Sequence, residues 1–146
     1  MKLLLIALHV FAFSAVSPWL TDFEQAKREA EQKHELILLN FSGSDWCGPC
    51  MRMHKEIFNS ESFAQAFGEK LVMVNADFPR LKKNRLTAAQ QKQNDILAEK
   101  YNTEGHFPFT VLLDAKGTVL KTWEGYPRQG STVFMEELKA ALNDNH

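Results

Sequence analysis

The chain has 146 residues, and 17 lysines and arginines against 18 aspartates and glutamates give a formal net charge of −1. With 45% hydrophobic and 24% charged residues, it can bury the core of one globular domain, which argues against bulk disorder. Because the net charge is close to zero, the composition gives no support to nucleic-acid binding, and we expect no nucleic-acid partner.

Residues 1–17 are typical of a secretory signal peptide. A short basic start at Lys2 precedes an apolar run from Leu3 to Val16, and small residues close the segment. The run is too short to be a comfortable membrane span. The alternatives are an uncleaved anchor or a first apolar element of the fold. We predict that residues 1–17 direct export and that residues 18–146 form the folded domain.

The first half of this domain alternates helical and strand patterns. Thr21 to Glu24 is a capping-box pattern, which predicts a helix to about His34. Leu36 to Ser42 is a continuous apolar run, typical of a central strand covered on both faces. Ser62 to Phe67 predicts a short helix, and Leu71 to Ala76 predicts a second buried strand.

Between these elements lie the only two cysteines of the chain, in the order Trp46-Cys47-Gly48-Pro49-Cys50. The pair follows the first strand and opens a helix-compatible run to about Phe58. A CxxC at a strand-to-helix junction indicates a thioredoxin-like redox site. With no other cysteine available for a structural bridge, the pair can close a disulfide and open it again by thiol–disulfide exchange.

The start of a helix gives the two cysteines different roles. The first backbone N–H groups of a helix lack intrahelical acceptors and favour a thiolate at Cys47, which we predict to be the exposed nucleophile. Cys50, one turn further, should be shielded and resolve the mixed disulfide. Pro49 is tolerated in a first helical turn. Gly48 leaves room for a substrate backbone, and Trp46 can cover the edge of the site.

A CxxC can also attach haem, bind zinc or form an inert structural disulfide. Haem attachment requires a histidine directly after the second cysteine, and this chain has Met51 there. A structural zinc site needs four ligands, and only Cys47, Cys50 and His54 are near one another in sequence. An inert structural disulfide over a two-residue loop would add little chain-entropy stabilisation. We therefore expect no metal and no cofactor.

The segment from Arg80 to Arg85 carries four cations in six residues. Such a charge run is most often a solvated loop, which is the interpretation we favour. The alternative is a docking site for an acidic partner surface.

The second half of the domain predicts a helix, a hairpin and a final helix. Thr87 to Gln90 is a second capping-box pattern, opening a helix through Tyr101. Phe109 to Leu113 and Thr118 to Trp123 predict a hairpin around a turn at 114–117. The inner face of a C-terminal helix is marked by Phe134, Leu138, Ala141 and Leu142. This order predicts an α/β fold with a mixed central sheet and helices on both faces.

From about Trp19 onwards the chain resembles the thioredoxin superfamily. The resemblance rests on Trp46 to Cys50, on the strand before it, and on Gly105-His106-Phe107-Pro108-Phe109 leading into the hairpin. It implies a thioredoxin-like fold in which Pro108 follows a cis peptide bond and faces the active-site disulfide. It also implies that the backbone of Phe107 pairs with a substrate segment in the manner of a β-strand.

Within the superfamily, the segments from Phe41 to Cys47 and from Val74 to Pro79 are similar to exported disulfide reductases of the DsbH type. The resemblance implies a periplasmic thiol–disulfide oxidoreductase that reduces disulfide-containing exported proteins through a Cys47–Cys50 cycle, and we expect a monomer. Because a reductant in an oxidising compartment must be reduced again and cytosolic reductases cannot reach it, we also expect a membrane electron donor of the DsbD type. The alternatives are a disulfide isomerase or oxidase, or a non-catalytic module that holds client peptides or a metal ion.

Two departures from the superfamily pattern concern proton transfer and the proline loop. Cytosolic thioredoxins carry a buried aspartate before the phenylalanine of the first strand, where this chain has Asn40, which cannot titrate. Asp45 or water would then take over the proton of Cys50, although Asp45 is also expected to be an exposed, loop-capping side chain. His106 lengthens the approach to Pro108, and we expect it to be a loop histidine without a catalytic role.

Overall fold

The computed structural model describes residues 19–145, so the predicted signal peptide, residues 1–17, lies outside the described residues. The helices are α1 (Phe23–Lys33), α2 (Gly48–Met53), α3 (Glu61–Phe67), α4 (Ala88–Tyr101) and α5 (Ser131–Asp144). The strands are β1 (Leu36–Ser42), β2 (Leu71–Asp77), β3 (Phe109–Leu113) and β4 (Val119–Glu124). A π-helical turn, His54–Phe58, continues α2, and a short 3₁₀ turn spans Lys82–Asn84. None of the described helices is both long and apolar enough to cross a membrane.

The four strands form one mixed sheet in the order β2-β1-β3-β4. β1 pairs with β2 in parallel and with β3 in antiparallel orientation, and β4 completes the hairpin with β3. Every residue of β1 is buried, as its continuous apolar sequence predicted. The α/β, thioredoxin-like architecture expected from the sequence is confirmed.

Successive side chains of β1 enter two different hydrophobic clusters, one on each face of the sheet, because side chains alternate along a strand. Leu38 packs with residues of the α2–π-helix segment and of α5, including Ile57 and Leu138. Leu39 packs on the opposite face with residues of α1 and α4, including Ala26. The sheet therefore holds the helix that begins at the cysteines firmly against one face.

The cap of α1 differs from its prediction. Asp22, not Thr21, is the N-cap, and its Oδ1 accepts the Gln25 backbone N–H at 2.9 Å. The Thr21 carbonyl instead accepts the side-chain amide of Gln90 at 2.8 Å, which ties the entry of α1 to α4. The predicted cap of α4 is correct at Thr87, whose Oγ1 accepts the Gln90 N–H at 3.2 Å. The Gln90 side-chain amide also donates to Asn94 Oδ1 at 3.0 Å.

The other boundaries are close to those predicted. α3 begins at Glu61 with Ser60 as its N-cap, and β4 begins at Val119, one residue later than expected. The predicted inner face of α5 is confirmed, since its four residues are buried: Phe134, Leu138, Ala141 and Leu142.

Candidate active site

A disulfide joins Cys47 and Cys50 at the beginning of α2. Cys47 is the N-cap residue, and its Sγ accepts the Cys50 backbone N–H at 3.2 Å. The loop after β1 turns tightly, because the Cys47 N–H donates to the Gly43 carbonyl at 2.9 Å. An N–H that points at Cys47 Sγ stabilises negative charge there once the disulfide is opened.

The predicted exposure of Cys47 is wrong for this oxidised form. Cys47 is only 4% exposed, because its sulfur turns inwards to the sulfur and the N–H of Cys50. Cys50 is fully buried, as predicted. The neighbouring Gly48 and Pro49 are exposed. A substrate can therefore reach the site over the Gly48–Pro49 turn, and Cys47 remains the more exposed of the two cysteines.

Trp46 forms one wall beside the disulfide. Its indole Nε1 donates to the Phe78 carbonyl at 2.7 Å, and its ring centroid lies 5.4 Å from that of Phe107. The Arg80 guanidinium stacks on the Trp46 indole, with its central carbon 3.7 Å from the ring centroid. Gly43 is required under this ring, because a Cβ at that position would collide with the indole. These contacts place Trp46, Phe107 and Arg80 along one groove.

The peptide bond between Phe107 and Pro108 is cis, which confirms the expectation from the family resemblance. Pro108 is buried, and its carbonyl accepts the Gly125 N–H at 2.8 Å. Within the described part of the chain, no hydrogen bond uses the backbone N–H or carbonyl of Phe107. Both groups are therefore available to a substrate segment that crosses the groove.

Asp45 is engaged away from the cysteines. Its carboxylate accepts the backbone N–H groups of Arg80 at 2.9 Å and Leu81 at 3.0 Å, and the Asn84 side-chain amide at 3.0 Å. These hydrogen bonds, that from Arg80 first, lower the pKa of the Asp45 carboxyl. These hydrogen bonds confirm the expectation that Asp45 is a loop-capping residue. This geometry does not direct its carboxylate to Cys50.

His106 is likewise held within its own loop. Its backbone N–H donates to Asn102 Oδ1 at 2.9 Å, and its ring Nε2 lies 2.9 Å from Glu104 Oε2. These contacts agree with the expectation of a loop histidine.

Behind the disulfide, Asn40 holds the imidazole of His54. Asn40 is fully buried, and its Nδ2 donates to Thr110 Oγ1 at 2.9 Å and lies 3.4 Å from the Phe109 carbonyl. The side-chain oxygen of Asn40, Oδ1, can only accept a hydrogen bond, and it lies 3.2 Å from His54 Nε2. Nε2 therefore carries the hydrogen, and Nδ1 is the basic nitrogen of the neutral ring.

His54 and Cys50 line the same cavity of about 370 Å³. The His54 backbone N–H donates to the Cys50 carbonyl, so the two side chains are one helical turn apart on the same face. Burial lowers the pKa of His54, and the Asp77 carboxylate opposes this shift in part. The remaining charged group at the cavity is Lys55.

The sequence pattern indicated His54 only as a possible metal ligand. The signal that could have identified it is its spacing of four residues from Cys50 within one helix. Among residues 19–145, no group of three or more His, Cys, Asp or Glu side chains is arranged to hold a metal ion.

Comparison with known proteins agrees with this geometry. A family model described as thioredoxin-like matches residues 18–115. The disulfide bond reductase DsbH of Chlamydia pneumoniae is 35% identical over 120 residues, covering 82% of this chain and 70% of that protein. The thioredoxin-related protein DsbJ of the same organism is 32% identical over 95 residues, 65% of this chain but only 26% of that protein.

Solved structures give the same result for the fold. A DsbH oxidoreductase superposes with a TM-score of 0.78 at 32% identity, over 98% of this chain and 95% of that one. A thioredoxin from Thermus thermophilus superposes with a TM-score of 0.67 over 88% of this chain and 90% of that one. At 15% identity, the second likeness concerns the fold alone.

Proposed function

We propose that this chain, which belongs to the thioredoxin-like family, is an exported disulfide reductase acting through Cys47 and Cys50. The observation that carries the proposal is the redox-type disulfide itself, with Cys47 Sγ at the start of α2 and Cys50 buried behind it. The direction of reaction is supported by the name of the similar chlamydial reductase and by the Gly-Pro pair between the cysteines. Thioredoxin has a potential of about −270 mV, against about −120 mV for the oxidant DsbA.

In the first step, the Cys47 thiolate of the reduced protein attacks one sulfur of a substrate disulfide. The Cys50 N–H, which already points at Cys47 Sγ, stabilises that thiolate. The substrate segment crosses the groove that Trp46 and Phe107 line together and pairs with the free backbone groups of Phe107. A Cys47–substrate disulfide forms, the substrate S–S bond breaks, and the leaving thiolate takes a proton from water.

In the second step, Cys50 must lose its proton before it can attack. A thiol in apolar surroundings gives up its proton reluctantly, and Cys50 is fully buried. The neutral imidazole of His54 accepts this proton at Nδ1, while Asn40 holds the Nε2–H. The Cys50 thiolate then attacks Cys47 Sγ, the intramolecular disulfide forms, and the second substrate thiolate leaves.

The cycle transfers two electrons and two protons from the dithiol to the substrate disulfide. His54 releases its proton through the cavity to water and so returns to its neutral form. The leaving thiolate takes a proton from water. The oxidised protein must then be reduced again. Because cytosolic reductases do not reach an exported protein, we propose a membrane electron donor of the DsbD type and a periplasmic location.

The reduction potential of the Cys47–Cys50 pair tests the direction of the reaction. Equilibration of residues 18–146 with glutathione or dithiothreitol should give a value at or below about −230 mV. A value above about −180 mV would reject the reductase in favour of an oxidase or isomerase. C50S should trap mixed disulfides with substrate proteins, and the matched C47S variant should trap none. If C50S also traps none, the protein is not a thiol–disulfide enzyme.

A further inference from the structure

Beside the active site lies a positively charged segment, which we call the basic loop and define as residues 80–85. Its four cationic residues are all exposed: Arg80, Lys82, Lys83 and Arg85. Within residues 19–145, none of the observed ion pairs involves any of the four. Within the described residues, therefore, no carboxylate forms an ion pair with the basic loop.

The basic loop is fastened to the redox site. Asp45 directly precedes Trp46, and its carboxylate accepts hydrogen bonds from two backbone N–H groups and one side chain of residues 80–84. Asp45 offsets part of the positive charge, but three of its hydrogen bonds are already made to this segment. Asp77 accepts the Ser44 N–H at 2.8 Å and Glu104 contacts His106, and neither carboxylate forms an ion pair with a cation of the basic loop.

Arg80 connects the basic loop to the substrate groove. Its guanidinium stacks on Trp46, and a cavity of about 650 Å³ is lined by Arg80, Trp46, Phe78 and Phe107. A substrate segment paired with the Phe107 backbone would therefore extend its flanking residues towards Arg80. The planar guanidinium forms two parallel hydrogen bonds with a carboxylate, which favours aspartate or glutamate at such a position.

We propose that the basic loop, positioned by Asp45, binds acidic residues that flank the disulfide of a substrate protein. This inference rests on the proposed function, whose substrate class it specifies. Because the four cations are exposed, they act mainly by attracting acidic substrates before the reaction, and salt screens this attraction.

Two peptides of equal length, each closed by one disulfide, test the proposal. One carries glutamates next to its cysteines and the other carries glutamines, and kcat/KM for their reduction is measured at about 20 mM and 1 M salt. We expect the glutamate peptide to be favoured about tenfold at low salt, and the preference to vanish at high salt.

The variant R80Q/K82Q/K83Q/R85Q should lose the preference for the glutamate peptide, measured as the ratio of the two kcat/KM values, so that any change in the overall rate caused by removing Arg80 from Trp46 cancels. The matched control, K70Q/K100Q/K116Q/K139Q, removes four exposed lysines outside the groove and should keep the preference for the glutamate peptide. R80Q alone should weaken the preference for the glutamate peptide. This single variant keeps the proposal testable if the quadruple variant misfolds. Equal rates for the two peptides, or an unchanged preference in the quadruple variant, would overturn the inference. Failure to reduce either peptide would instead contradict the proposed function.

Discussion

Replacement of His54 by glutamine should slow the attack of Cys50 while leaving the attack of Cys47 unchanged. Glutamine can still donate an amide N–H to Asn40 Oδ1, but it has no nitrogen that accepts a proton at neutral pH. General base catalysis contributes a factor of about 10² to 10⁴. We expect a loss of about 10²-fold in the second step at pH 7, since water in the cavity can replace part of the function of His54.

The pH dependence separates a proton acceptor from a residue that only supports the fold. Burial lowers the pKa of His54, so the imidazole is neutral and able to accept a proton at pH 7. An ordinary cysteine thiol ionises at about pH 8.5 without help. The rate of the variant should therefore rise steadily with pH, and its deficit should shrink as the pH rises, because hydroxide then takes the proton that His54 accepts at pH 7.

The two steps can be followed in one stopped-flow experiment. Reduced protein is mixed with an aromatic disulfide that releases one coloured thiolate when Cys47 attacks and a second when Cys50 attacks. H34N is the matched control, because His34 is an exposed histidine in the left-handed conformation that asparagine tolerates. If H54Q keeps a second-step rate within twofold of the unmodified protein, or shows the same deficit at every pH, the reasoning is refuted.

Two further predictions concern stability. The pKa of His54 is lowered in the folded protein, so the contribution of His54 to the free energy of unfolding should be constant above about pH 6.5. Below that pH the contribution should fall, because the unfolded chain takes up a proton that the folded protein binds less readily. Urea titrations at several pH values check this, and a fall of the same size in H54Q would contradict it. Gly43→Ala should lower the free energy of unfolding by about 1 to 3 kcal/mol, because its Cβ would collide with the Trp46 indole. Gly48→Ala, whose Cβ meets open space, is the control, and equal melting temperatures for the two variants would exclude this explanation.

Local sequence patterns were sufficient to predict the architecture and the redox pair. The apolar run of β1, the CxxC that follows it and the hairpin pattern near the end each depend on residues that are neighbours in the chain. Their order predicted a mixed sheet with β1 at its centre, because parallel strands need a helical crossover and hairpins do not. The family resemblance added the cis bond before Pro108.

The chemistry around the cysteines depends on contacts between residues far apart in sequence, which no local pattern contains. Asn40 reaches His54 because the sheet presses the helix of the cysteines against β1, and Asp45 caps residues 80–84 because the loops after β1 and β2 emerge side by side from parallel strands. In the same packing, the Thr21 carbonyl accepts a hydrogen bond from the Gln90 side chain, and Asp22 is the N-cap of α1. The sequence by itself thus predicted the Cys47–Cys50 pair. Only the tertiary structure placed His54, the proton acceptor that we propose, at the same cavity as Cys50, and the cations of the basic loop next to Trp46.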